Sequence, residues 1–497
     1  MSLQLWQSIP FAMILLPLGS AALTSVLPKH AARLWCAGVL ALETLLSAFF
    51  FSKMLSFGQM YTYSMGHYPA PWGNELRAGP LEALVSLCFA VILLLSVLGG
   101  FRKLEMHVDG SKQNLYCALL MLLTCAMQAQ LYTNDAFTAY VFVEILTLAA
   151  AGLITARSDG KGLLAGARYM VMNLVGSALF LLAVILLYDL TGHLLMSPMK
   201  KAVLALHETE RYHAPMTMVI VLLVTGLSVK SALFPFHTWV PDAYGASTPI
   251  TSAVLSSLLS KSYIFLLMKM MYRAIGMEVI AAARVDDILL LYGILGMIVG
   301  SVQAIAQKDL RRMIAWSSVA QIGYIYMGMG LGNEAGMAAA LVQLLSHSAA
   351  KSMLFLAADG VADARGSSLL QRLRGAGYST PVFGVVFTVG ALSLVGAPLL
   401  GGFAAKACFA LAAAERDGWR MLLVFAALAV STLLNAVYFI GTVIQLYRKP
   451  DVAEGAKART GALSAVSVCA LALINLCLGV FASPLVQAIQ SGLTLFG

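Results

Sequence analysis

Lys230, Lys261, Lys351 and Lys406 set the chemistry open to this sequence, because each sits inside a long apolar run. A lysine at the centre of a bilayer-spanning helix costs roughly 2.5–3.5 kcal/mol on insertion scales, so four of them cost on the order of 10 kcal/mol if charged. A single one reads easily as a satisfied structural charge. Four in one chain do not, since ionisable groups at membrane depth mark ion paths and an amine that gains and loses a proton is a carrier.

The other candidates lie around these lysines. Glu144 stands in the middle of Ala136-Phe-Thr-Ala-Tyr-Val-Phe-Val-Glu-Ile-Leu-Thr-Leu, an apolar stretch in which a carboxylate needs a cation or a wet cavity. Lys230 is its expected partner. A carboxylate that approaches a buried ammonium steadies the proton and one that withdraws releases it, which is a switch a pump can use. Lys261 lies near the centre of Pro249-Ile-Thr-Ser-Ala-Val-Leu-Ser-Ser-Leu-Leu-Ser-Lys-Ser-Tyr, among serines able to hold water, and reads as a relay. His347 and Lys351 are spaced i, i+4 and share one helix face. A lone buried histidine is more often structural, but stacking on a buried lysine favours proton transport.

Two apolar runs are interrupted, at Lys230-Ser-Ala-Leu-Phe-Pro235-Phe-His237 and at Gly396-Ala-Pro398-Leu-Leu-Gly401-Gly402-Phe-Ala-Ala-Lys406. Proline removes a helix hydrogen bond and glycine permits bending. Broken helices at membrane depth persist where protein or water meets their freed backbone groups, and transporters place ion sites there. A plain proline kink is the alternative, weakened by a lysine near each break. Glu43, in the second run, is either functional or paired locally. His237 has no assigned part, and Gly296-Met-Ile-Val-Gly300 reads as helix packing.

These residues must be positioned by membrane helices. Of the 497 residues 60% are hydrophobic and 11% charged, against about 25% charged in soluble domains. No polar linker divides the chain, so it reads as one integral membrane domain. Spans of about 20 apolar residues centre near 17, 43, 91, 122, 145, 177, 225, 260, 295, 322, 347, 395, 431 and 472, which makes fourteen. Alternate connections hold 18 and 9 Lys and Arg residues, so the richer set faces the cytoplasm and both termini face outside. Lys269 reads as close enough to a span end to snorkel. The net charge of +9 follows from this topology, without a basic patch for nucleic acid. The first basic residue is Lys29, so the first apolar run is expected to stay as a helix rather than leave as a leader.

Cofactor chemistry finds no motif. The cysteines (Cys36, Cys88, Cys117, Cys125, Cys408, Cys469 and Cys477) lie in apolar runs without a C-x-x-C pair, and no phosphate-binding glycine loop or haem-attachment motif is present. No metal, iron–sulfur cluster, disulfide, nicotinamide, flavin or nucleotide is expected.

Lys230-Ser-Ala-Leu-Phe-Pro-Phe-His-Thr-Trp-Val-Pro-Asp-Ala-Tyr244 resembles the lysine-to-HTWLPDAH stretch of the antiporter-like subunits of respiratory complex I, energy-converting hydrogenases and Mrp-type sodium/proton antiporters. The resemblance runs from about residue 80 to about 445. It is supported by Asp135 to Glu144, Ser260-Lys261, Asp309 to Ser318, His347 to Lys351 and Gly396 to Lys406, and the wording around Glu144 is nearest to D-type Mrp subunits and hydrogenase relatives. Tyr244, Ser247, Thr248 and Leu399 depart from the family pattern.

The resemblance implies an all-α membrane fold of fourteen helices with two inverted five-helix repeats and two discontinuous helices. Residues 1–110 would hold helices 1–3, 111–275 the first half-channel, 276–447 the second, and 448–497 the last helix. Glu144 and Lys230 would form the first-half ion pair, Lys261 the connecting lysine, His347 and Lys351 the second-half relay, and Lys406 the distal lysine. It implies partners among other integral membrane subunits, protons as cargo with sodium as a further ion, and a place in the inner membrane of a bacterium or archaeon. The competing readings are a stand-alone proton-coupled transporter and a membrane-bound redox enzyme; the cysteine and motif inventory speaks against the latter.

Overall fold

The computed structural model describes residues 5–68, 73–209, 212–416, 418–449 and 461–497. They form a stack of helices, 12 of them long and apolar enough to cross a membrane. Short polar side chains start several of the helices by accepting a backbone N–H of the first turn: Asp135 from Thr138, Asp159 from Gly162, Thr248 from Thr251, Asp309 from Arg312 and Asn333 from Gly336. Gly58, Gly192 and Gly366 end others in the left-handed conformation.

Two helices make the axis. Pro249–Ile275 and Glu334–Arg365 are buried along the whole of their most apolar window, whereas only 28% of that window is buried in Ala462–Val480 and 33% in Lys29–Phe57. The axial pair carries Lys261, His347 and Lys351. Beside it Val285–Ile305 packs on Leu310–Gly330 with backbone nearly touching backbone: a Cβ on Gly300 would lie 2.5 Å from the Ala320 nitrogen, and one on Gly293 2.5 Å from that of Met327. Small residues allow this approach, which is the packing read from Gly296 and Gly300.

Both interruptions are real breaks. His213–Ser231 stops at Ala232, whose φ is 68°, and the chain turns through Phe236–Trp239 into Val240–Ala246. Pro381–Val395 stops at Gly396 (φ 101°), Leu399 also has a positive φ of 68°, and Gly401–Ala414 follows. Asp135 forms a short bridge with Leu195, and Asp309 forms the same kind of bridge with Leu369.

The structure departs from expectation in several places. The span expected near 322 is the 21-residue helix Leu310–Gly330, whose Gly, Ser, Gln and Tyr residues keep it out of the apolar set. The one expected near 395 is the pair Pro381–Val395 and Gly401–Ala414, both short. A two-stranded ribbon, Tyr61–Ser64 against Glu75–Ala78, had no sequence signal. Lys269 does not snorkel: it is fully buried and donates to the carbonyls of Gln130, Leu131 and Thr133. Arg273, one of the nine basic residues counted in the poorer set of connections, is buried as well, paired with Glu82 and donating to the Phe496 carbonyl at 2.6 Å. Of the basic residues in the topology count, Arg211, Lys457 and Arg459 lie outside the described residues.

Candidate functional site

The first cluster joins three helices. Lys230, in the last turn of His213–Ser231, places Nζ 3.4 Å from Glu144 Oε1 on Ala136–Thr155. Its shorter bond, 2.8 Å, goes to Thr147 Oγ1 one turn further along that helix. Thr147 in turn lies 3.0 Å from the Tyr263 hydroxyl on the axial helix, and the ammonium stands 5.6 Å from the Tyr263 ring centre. Ser177 donates to the same Glu144 oxygen. The two charges are unequally sheltered: the Lys230 side chain is fully buried while that of Glu144 keeps 28% of its surface exposed.

Lys261 sits just after a wide turn, Leu255–Leu259, in which the helix loosens to i→i+5 bonding. It donates to the main-chain carbonyl of Ser256, five residues back. Ser256 Oγ lies 2.9 Å from Ser318 Oγ, and Ser348 donates to the Ser257 carbonyl at 2.7 Å, which ties this turn to Leu310–Gly330 and Glu334–Arg365.

Lys351 reaches across to Leu310–Gly330, donating to the Ile314 carbonyl at 2.9 Å and to Ser317. His347, one turn away on the same face, is fully buried, and neither ring nitrogen has a protein partner. Both nitrogens of this buried imidazole are left without the hydrogen bonds that would fix its tautomer.

Lys406 uses the second break. It donates to the Val395 carbonyl at 2.6 Å, one of the acceptors that the end of a helix leaves unmet, and to Thr432 Oγ1 at 2.9 Å, with the Tyr324 ring centre 5.5 Å away. Gly396 makes room, since a Cβ there would stand 3.0 Å from Lys406 Cδ. Among the described residues, Lys230 alone of the four has a carboxylate in salt-bridge range. The others rest on carbonyls and hydroxyls, which hold a proton-bearing amine without fixing its charge.

Glu43 is buried, and neither oxygen has a hydrogen-bond partner, so the local pairing considered for it is absent. His237 packs between the rings of Phe234 and Trp316, at 5.5 and 5.3 Å. The sequence reading missed the partners Thr147, Ser177, Ser317, Tyr324 and Thr432. It also missed two buried acids, Glu82 with Arg273 and Asp359 with Arg311 and Lys103. The acids had a signal, a charge inside an apolar run; the hydroxyls had none.

Comparison with known proteins shows what the whole chain resembles. NADH-quinone oxidoreductase subunit N of Desulforudis audaxviator is 33% identical over 404 residues, which is 81% of this chain and 78% of that one. The D-type subunit of the Na(+)/H(+) antiporter of Bacillus subtilis is 27% identical over 395 residues, 79% of this chain and 78% of that one. A chain of the membrane-bound sulfane sulfur reductase, an archaeal respiratory membrane complex, superposes with a TM-score of 0.88 at 26% identity, covering 98% of each chain. A chain of the Mrp complex from Dietzia sp. shares the fold, with a TM-score of 0.86 at 21% identity over 99% of this chain and 98% of that one. Residues 133–433 match the family described as NADH:quinone oxidoreductase/Mrp antiporter, TM, and the chain belongs to that family.

Proposed function

We propose that this chain is an ion-translocating subunit of a multisubunit membrane complex of the oxidoreductase or antiporter type. It would carry protons along Glu144, Lys230, Lys261, His347, Lys351 and Lys406, and sodium/proton antiport is the alternative. The observation that carries the reading is the set of four lysines sheltered within the helix stack, three of them held by carbonyls and hydroxyls alone. A carboxylate half-way along a span and 28% exposed would face lipid in a lone chain. Its cost there supports a neighbouring subunit on that face.

The finer architecture is part of the same reading. The twelve long apolar helices, Leu310–Gly330 and the broken pair Pro381–Val395 with Gly401–Ala414 make fourteen spans. Two inverted repeats, within 111–275 and 276–447, are supported by matched landmarks. Asp135 and Asp309 each cap a helix and bridge to Leu195 and Leu369. Each capped helix is followed by one of 32 residues, Gly160–Thr191 or Glu334–Arg365, and later by a helix that breaks at a positive φ, at Ala232 or Gly396. Residues 1–110 and 448–497 flank the repeats, and both termini lie outside.

The test is Lys406→Ala in the assembled complex, reconstituted with a pH-sensitive dye inside the vesicles. Assembly is expected to persist and proton translocation to stop. Unchanged translocation would return Lys406 to a structural role, and solute-coupled proton flux by the purified chain alone would favour a stand-alone transporter.

A further inference from the structure

Where Lys29–Phe57, Pro80–His107 and Ala462–Val480 meet, at one end of the helix stack, a cavity of about 570 Å³ lies between them. His30, Arg33 and Arg102 form its polar end, and Leu34, Leu98 and Phe101 form its apolar length. A second cavity of about 590 Å³ lies on the other side of Leu34 and is lined wholly by apolar residues and glycine, Trp35, Gly38 and Leu42 among them. Leu34 is 76% exposed, so it stands between the two as a ridge open to the surroundings.

Among the described residues, Glu105 alone pairs with the three basic side chains at this polar end. Arg33 is anchored by Glu105 at 2.8 Å and Gln113 at 2.7 Å, and its Nε has no partner. Among the described residues, Arg102 and His30 take part in no ion pair, and no carboxylate lines either cavity. Three nitrogen-bearing side chains therefore face one end of a forked apolar groove, at the level where helices begin and end.

We propose that this region binds one anionic phospholipid, its phosphate against Arg33, Arg102 and His30 and its two acyl chains in the grooves flanking Leu34. Charge and shape select that occupant. Basic side chains at a membrane border attract anionic lipid by about fivefold per charge, and a two-tailed amphiphile fits two grooves parted by a ridge. A helix from another subunit, about 10–12 Å across, would need one broad face. Trp35, 44% exposed, lies within two turns of the start of Lys29–Phe57, and aromatic rings near span ends favour the headgroup border.

Trp35 also supplies the readout. The complex is placed in nanodiscs containing phosphatidylglycerol or phosphatidylcholine brominated on the acyl chains, and the quenching due to Trp35 is taken by difference from Trp35→Phe. Brominated phosphatidylglycerol is expected to quench at a lower mole fraction than brominated phosphatidylcholine. Arg102→Gln should narrow that preference about fivefold. Gly38→Leu should abolish the selective quenching, because a Cβ at Gly38 meets nothing within 4 Å and the added side chain fills the groove without disturbing the fold. Equal quenching by the two lipids would mean ordinary bilayer contact and overturn the proposal. So would quenching seen in the isolated chain but not in the complex, since a neighbouring subunit would then cover the site.

Discussion

Glu144→Gln and Lys230→Ala, made singly and together, separate a working pair from two bystanders. At 3.4 Å and an effective dielectric constant of about 20, two unit charges attract by ~5 kcal/mol. That figure is gross. Both charges give up hydration, so a net coupling of about 1–3 kcal/mol is expected, or roughly five- to 150-fold in rate. Glutamine keeps an oxygen for Ser177, so Glu144→Gln removes charge while sparing the local hydrogen bond. Lys230→Ala removes the carrier itself and strips Thr147 of its 2.8 Å partner. The assay is initial proton uptake by inverted vesicles, normalised to assembled complex. Glu144→Gln should slow uptake, Lys230→Ala should slow it further while leaving a measurable rate, and the double variant should be no worse than the poorer single one. Losses that multiply as for independent sites, or a fully active Lys230→Ala, would refute the pair.

His347→Phe is expected to cut proton translocation at least tenfold with little change in thermal stability, because neither ring nitrogen has a protein hydrogen bond to lose; a large fall in melting temperature would mark a structural histidine instead. Lys269→Met should do the reverse. It leaves three buried carbonyls unmet, at about 1 kcal/mol each, so the yield of monodisperse protein falls while translocation per assembled complex is kept. Gly402→Ala forces a Cβ to within 1.8 Å of the Ser393 carbonyl oxygen and should destabilise the second break by about 1–3 kcal/mol, whereas Gly38→Ala, with open space, should be silent in the same unfolding assay. A carboxy-terminal reporter active only outside the cytoplasm should be active, and a cytoplasmic signal would sink the orientation or the even span count.

The parts of the site legible in the sequence are those whose signal is local. A lysine or glutamate in an apolar run is conspicuous without any knowledge of its neighbours, which is why Glu144 and Lys230 can be paired before their helices are placed. Proline and glycine likewise announce both breaks. Thr147, Ser317 and Thr432 are silent because a hydroxyl can satisfy itself on its own helix, as Thr147 also does with the Val143 carbonyl. Distance along the chain hides the rest. Lys269 looks like a span-end lysine because its acceptors lie more than a hundred residues earlier, and Glu43 looks pairable because nothing local reveals that its side chain points away from every donor. Leu310–Gly330 reads as a span despite its modest hydropathy, for its buried face needs little apolar surface when protein surrounds it.

The bonds of Lys269 and Arg273 also constrain how the chain is made. Lys269 satisfies carbonyls 136, 138 and 139 residues before it, and Arg273 neutralises an acid 191 residues before it. During synthesis Glu82 and the end of Gln113–Tyr132 enter the membrane well before the basic side chains that will meet them. The early helices cannot settle until Pro249–Ile275 arrives, so nascent chains that stop short of it should be held at the insertion machinery or destroyed by quality-control proteases.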